Sequence, residues 1–105
     1  MTLYKDIIQV DLSIDEDSSI LGQVSGKVTL SAGRNLQIHG SVVGNLVILS
    51  GAETFVHGIV NGDIYNRGTL FVYGSITGSI YSTPSGKVVL NPGSKISGNF
   101  SIEDF

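Results

Sequence analysis

The amino-acid sequence predicts an all-β fold, a single-stranded parallel β-helix in which short strands stack coil upon coil. The unit Gly-x-aliphatic-x-Gly-x-aliphatic begins at Gly22, Gly40, Gly58 and Gly74, and a degenerate copy begins at Ser94. These starts are 18, 18, 16 and 20 residues apart. A short period kept over most of a chain is typical of solenoids. Within each unit the aliphatic residues lie two or four apart, which is the period of a strand with one buried face.

Residues 1–19 precede the first glycine unit and are predicted to form a separate N-terminal strand or cap segment. Apolar residues alternate there with polar ones, as in a half-buried strand; they are Ile8, Val10, Leu12 and Ile14. The acidic residues 15–17, followed by two serines, indicate a turn into the first coil.

Residues 20–105 are predicted to form the β-helix domain, with about five coils of about 18 residues and three strands in each coil. Each strand is expected to pair in parallel with its equivalent in the next coil, about 4.8 Å away. Three inward columns follow from the spacing: Ile20, Ile38, Val56, Val72 and Leu90; Val24, Val42, Val60, Ile76 and Ile96; Val28, Leu46, Ile64, Ile80 and Phe100. The corners absorb the differences in coil length, near 66–68 and 91–94.

The outward positions predict a lateral apolar and aromatic face on the solenoid. Its members are Phe55, His57, Phe71, Tyr73 and Val89, with Tyr65 and Tyr81 in a second outward column. Exposed apolar patches commonly are contact surfaces. Two interpretations remain open, since this face either binds another protein or is covered by the N-terminal strand.

The two ends of a solenoid present unpaired backbone groups and an open core, so each end must be capped or must meet another copy. The candidate end-to-end contacts are Ile20, Leu21, Ile96, Phe100, Ile102 and Phe105. Residues 3–14 could cap one end, while the apolar C-terminal residues could plug the other end or contact a neighbour. Homo-oligomers or filaments are therefore expected.

No constellation for catalysis, and no cofactor or metal site, is predicted. His39 and His57 stand one coil apart, but the next position in their column is Tyr73, and a zinc site needs a third proper ligand. A surface ladder is therefore expected. No column pairs two acidic residues for general acid–base work, and the chain has no cysteine.

Composition limits the possible partners and the compartment. The net charge is −3 and the six basic residues are dispersed, which disfavours a nucleic-acid surface. No apolar run approaches the roughly 20 residues that span a bilayer, and the N-terminus lacks the pattern of a signal peptide. A cytoplasmic location is expected, with peripheral membrane contact at most.

The Gly-x-aliphatic-x-Gly-x-aliphatic units, alternating with Leu36-Gln37-Ile38 and Leu70-Phe71-Val72, resemble the bactofilin family of bacterial polymer-forming cytoskeletal proteins. The resemblance covers roughly residues 20–100. It implies a right-handed, three-sided β-helix whose subunits join end to end into filaments without nucleotide, as a cytoplasmic scaffold. The acidic, strand-like N-terminal segment departs from the family pattern.

The expected function is accordingly that of a structural scaffold protein that self-associates through its ends. The alternative is a monomeric or dimeric protein-binding module, of the adaptor or toxin-neutralising type, that uses the lateral aromatic face. An enzyme of the left-handed solenoid type would need an unbroken six-residue aliphatic period. Leu36, Val42 and Ile48 begin such a run, but Thr54 and Asn66 break it.

Overall fold

The computed structural model describes residues 2–104, which form eighteen short strands in six coils of three. The first three coils contain β1 (Thr2–Tyr4), β2 (Ile7–Ile8), β3 (Leu12–Ile14), β4 (Ser18–Ile20), β5 (Gln23–Ser25), β6 (Val28–Leu30), β7 (Asn35–Ile38), β8 (Ser41–Val43) and β9 (Leu46–Ile48). The last three coils contain β10 (Glu53–Val56), β11 (Ile59–Asn61), β12 (Ile64–Asn66), β13 (Thr69–Val72), β14 (Ser75–Ile76), β15 (Ile80–Ser82), β16 (Lys87–Leu90), β17 (Lys95–Ile96) and β18 (Phe100–Ile102).

The strands build three six-stranded parallel sheets, one for each side of the solenoid. Sheet A takes the first strand of every coil, sheet B the second and sheet C the third. The observed register matches the predicted columns, with Val60 between Val42 and Ile76 and with Ile64 between Leu46 and Ile80. The predicted three-sided β-helix is thus confirmed, while its right hand stays a prediction.

The N-terminal segment differs from the prediction, because it is the first coil of the solenoid and not a flanking strand. Strands β1, β2 and β3 pair in parallel with β4, β5 and β6. The predicted continuous alternation from Ile8 to Leu12 is interrupted at a corner, where Val10 is 63% exposed. The solenoid therefore has six coils where about five were expected.

Equivalent positions in neighbouring coils are 16, 18, 18, 16 and 20 residues apart along sheet C, from Leu12 through Val28 to Phe100. In the two 16-residue steps the connection from sheet C to sheet A is short. Only residues 15–17 lie between the inward positions Ile14 and Ser18, and only residues 67–69 lie between Asn66 and Leu70. The 20-residue step adds residues at 91–94, between sheets A and B. Corners take up the variation while the columns keep their register.

The core is a narrow aliphatic stack along the solenoid axis. Its inward side chains are fully or almost fully buried in the second to fifth coils, and no helix contributes to it within residues 2–104. Four fully buried polar side chains enter the stack: Asn66, Thr54, Ser18 and Ser82. Asn66 satisfies its amide, because its Oδ1 accepts from the Gly68 backbone N at 3.1 Å and its Nδ2 donates to the Lys87 carbonyl oxygen at 3.1 Å.

The second polar residue, Thr54, lies between Leu36 and Leu70 in the same column. It is fully buried, and its Oγ1 has no hydrogen-bond partner among the described residues. Replacing one unpaired hydroxyl with a methyl group of similar shape removes a desolvation cost. We expect Thr54→Val to raise the free energy of unfolding by about 1 kcal/mol, as measured by thermal and urea melts.

Thr69→Val is the matched control, because this threonine is half-buried on an outward position of β13. Its melting temperature should change little. An unchanged or lowered melting temperature for Thr54→Val would show that the Thr54 hydroxyl is in fact hydrogen-bonded.

Candidate interaction surfaces

The outer face of sheet A carries two adjacent columns of stacked rings. Phe55 and Phe71 occupy neighbouring coils with ring centroids 4.7 Å apart and an interplanar angle of 4°. Val89 follows Phe71 in the same column. The parallel register places equivalent outward side chains one strand spacing apart, so flat rings stack face to face. The ring edges, not the ring faces, are directed away from the sheet.

The second column contains His39, His57 and Tyr73. The two histidine rings stack at 4.7 Å, and Tyr73 stacks on His57 at 5.0 Å. The His57 Nε2 lies 3.2 Å from the Gln37 Oε1, which joins the two columns. Desolvation, and then the neighbouring His39, lower the pKa of His57. Protonation of the His57 ring is thereby disfavoured.

Tyr65 and Tyr81 lie on sheet C, with ring centroids 5.2 Å apart. The structure therefore divides the predicted lateral residues between two sides of the solenoid. Five share sheet A or the corner that follows it, and these two tyrosines form a separate column. This is the division that the outward columns predict.

The lateral face of sheet A is uncovered by any described strand. The interpretation in which the N-terminal strand lies across this face is wrong, because β1 adds to the edge of sheet A in the first coil. Tyr73 is 44% exposed, whereas Phe55, Phe71 and Val89 are half-buried by their own neighbours in the ladder. The face is available for contact, although much of its apolar area is already packed.

The predicted end contacts divide into two groups. Ile96, Phe100 and Ile102 belong to β17 and β18 of the last coil, at the end of the solenoid. Ile20 is fully buried in the second coil beneath β1, so its assignment to an end is wrong. Leu21 is 45% exposed, but it also lies one coil inside the end. Phe105 is outside the described residues.

Four further exposed residues of the first and last coils were not among the predicted end contacts: Leu3, Ile7, Val10 and Leu90. Each is a large hydrophobic residue with 47% to 68% of its surface exposed. Leu90 belongs to a predicted inward column, and it is exposed because no further strand pairs with β16 within residues 2–104. Recognising residues 2–14 as a coil would have identified the other three.

Neither a metal centre nor a membrane span is evident in the described part of the chain. Residues 2–104 hold no group of three His, Asp or Glu side chains placed to bind a metal ion. No helix within that range is long and apolar enough to cross a membrane. The candidate sites are therefore surfaces: the lateral face of sheet A, the tyrosine column of sheet C and the two coil ends.

This geometry defines the class of protein as a three-sided parallel β-solenoid with stacked aromatic columns. Comparisons with protein-family models, with curated proteins and with solved structures found no match. The resemblance to bactofilins thus rests on the glycine and aliphatic spacing of residues 20–100. The function has to be argued from the residues of this chain.

Proposed function

We propose that the chain is a structural protein that self-associates through its coil ends into oligomers or filaments, without nucleotide. One observation carries the proposal. Of the ten large hydrophobic side chains that are exposed among residues 2–104, six lie in the first and last of the six coils: Leu3, Ile7, Val10, Leu90, Phe100 and Ile102. Two coils out of six thus hold more than half of the exposed apolar side chains.

The end strands add a second source of association. Within residues 2–104 the strands of the second to fifth coils pair on both sides, whereas β1, β2 and β3 at one end and β16, β17 and β18 at the other pair on one side only. Unpaired parallel edges readily accept another strand. Burial of apolar area at about 25 cal/mol per Å² would reinforce such pairing.

Analytical ultracentrifugation over a concentration series, with negative-stain microscopy, tests this proposal. Self-association should appear as species of defined multiples of 11.1 kDa, growing with concentration. Because the contacts are largely apolar, moderate salt concentrations should not dissociate the oligomers. A monodisperse monomer at high concentration, under all salt conditions, would defeat the proposal.

The second candidate is a binding module that holds another protein on the lateral face of sheet A. It is favoured by the stacked Phe55–Phe71 pair, which lies beside the ring of Tyr73 without a covering strand. Aromatic side chains are enriched at protein–protein contacts, because they bury a large area at low entropic cost. An adaptor or toxin-neutralising protein would fit this surface.

Phe71→Asp combined with Tyr73→Ala should abolish such a partner while the circular dichroism spectrum stays unchanged. Both side chains are outward, so the core columns are untouched. Ile59→Asp, on the outward face of sheet B, is the control that introduces the same charge elsewhere. Partners captured equally by wild type and double variant would count against this candidate.

A further inference from the structure

We infer that this chain binds a second copy of itself through its last coil only. With the first coil called the head and the last coil the tail, the two copies associate tail to tail, and the first coil of each copy stays outside the contact. This inference rests on the proposed self-association, names which end takes part, and selects the dimer from among the proposed oligomers and filaments. It follows from the packing at two corners of each coil, from the charges of the two ends and from the exposed side chains of the last coil.

The corner between sheets A and B is closed by a glycine in the second to fifth coils: Gly22, Gly40, Gly58 and Gly74. At each of these glycines an added Cβ would point at the preceding coil. It would lie less than 3.0 Å from backbone carbonyl oxygens there, for example that of Gly22 beneath Gly40. Successive coils can therefore stack at this corner only when the residue of the later coil at this position has no side chain.

The corner between sheets B and C obeys the same rule in the second to sixth coils. Its glycines are Gly26, Gly44, Gly62, Gly78 and Gly98. An added Cβ at Gly44 would lie less than 3.0 Å from the carbonyl oxygen of Gly26, and the other four meet the preceding coil as closely. The second glycine of the repeat unit thus also reflects the close approach of one coil to the coil before it.

The first coil breaks both rules. By register, Asp6 occupies the column of Gly22 and Val10 occupies the column of Gly26. Both side chains are exposed, Val10 to 63%. They are tolerated because no coil precedes the first one within the described chain. The first coil can begin a solenoid of this kind, but it cannot be stacked on another coil in the same register.

The sixth coil shows what relieves this restriction. Ser94 stands in the column of Gly74, but its corner is two residues longer, since Leu90 and Ile96 are six apart whereas Val72 and Ile76 are four apart. The corner of the first coil has no such extra residues, since Tyr4 and Ile8 are four apart, as are Ile20 and Val24. Asp6 therefore stands at a corner of the same length as those that carry glycine.

A head-to-tail contact would place the first coil of one copy on the last coil of another. At the corner between sheets B and C, Val10 would then meet the backbone of Gly98 in the other copy, as an added Cβ at Gly98 would meet the carbonyl oxygen of Gly78. The contact could form only by separating the two coils, which would forfeit the strand pairing along all three sheets. Continuation of the solenoid from copy to copy is thereby blocked on steric grounds.

A head-to-head contact is opposed by charge. Residues 1–17 carry five carboxylates and one lysine, a net side-chain charge of −4. Apposing two such ends places like charges across a shared interface, which is costly when they are desolvated. Residues 87–104 carry two lysines and two carboxylates, so the last coil has no net side-chain charge.

The tail-to-tail contact remains, and the last coil has the chemistry for it. Leu90, Phe100 and Ile102 are 47%, 45% and 57% exposed, and each belongs to an inward column. Each would be buried if a second coil covered it, as Val72 and Ile80 are buried in the coil before. Because the two copies are related by a two-fold axis, the contact closes at the dimer.

Two single variants, one at each end, test this inference in the full chain. Ile102→Lys places a charge on the last coil, and Val10→Lys places the same charge on the first coil. Both residues are exposed, at 57% and 63%, so neither variant disturbs the buried core. Circular dichroism and thermal melting confirm the fold, and sedimentation equilibrium gives the oligomeric state and the dissociation constant.

The wild type is expected to form dimers. Ile102→Lys should weaken the dimer at least tenfold, whereas Val10→Lys should leave the dissociation constant within about twofold. Loss of association in both variants would indicate a head-to-tail contact, and loss in Val10→Lys alone would indicate a head-to-head contact. Either result overturns the tail-to-tail inference while self-association stands. A wild type that stays monomeric refutes the proposed function, and the inference falls with it.

Discussion

Val60→Asp should leave the chain unfolded. Val60 is fully buried in the fourth coil, between Val42 and Ile76 of the neighbouring coils. The substitution removes apolar burial and introduces a carboxyl group with no partner, at a combined cost of about 5 kcal/mol or more. Domains of this size are stable by about 5–15 kcal/mol in total. Loss of the β-sheet circular dichroism spectrum at 25 °C is the expected result.

Ile59→Asp is the matched control, since it changes the preceding residue of the same strand, β11. Ile59 is outward and 45% exposed, and its neighbours in the column are Ser41 and Ser75. The spectrum and the cooperative melt should be retained, with a stability change of about 1 kcal/mol or less. If both variants melted alike, the inward column of sheet B would be misassigned.

Most of the fold is predictable from the sequence, because a solenoid repeats one small packing problem. Each coil must place an aliphatic residue on the one below it, so the columns of Val24 and Val28 recur with little change in size. Glycine recurs for a different reason, which is the short distance between coils at the corners. Two kinds of residue at a fixed spacing thus encode both the core and its bends.

The first coil escaped prediction because it lacks those glycines. Asp6 and Val10 stand at the glycine positions, and without them the segment has the alternation of an ordinary strand. A weaker signal was present in the four-residue spacing of Tyr4, Ile8 and Leu12. The same spacing recurs 16 residues later in the second coil.

The lateral face was predictable and the ends were not, for a related physical reason. Stacking of Phe55 on Phe71 depends only on the local register, which the repeat specifies. Exposure at an end depends on which coil is the first, and that is a property of the whole chain. Ile20 appears terminal when the count begins at residue 20, yet β1 covers it.

Gly58→Ala should destabilise the fold severely although it adds a single methyl group. The added Cβ would lie less than 3.0 Å from the carbonyl oxygens of Gly40 and His39 in the third coil. Both obstacles are backbone atoms held by the sheets on either side of the corner, so neither can move alone. Overpacking against fixed backbone costs about 3 kcal/mol or more, which thermal and urea melts would measure.

Gly33→Ala separates this packing requirement from the conformational freedom of glycine. Gly33 has a φ of +75° and no atom within 4 Å of an added Cβ. Its substitution carries only the left-handed backbone cost, about 1–2 kcal/mol. A larger loss at Gly58 than at Gly33 would establish coil-to-coil contact as the reason for the repeated glycines. Equal losses would mean that the corners can open, and the steric block assigned to Asp6 and Val10 would then lose its basis.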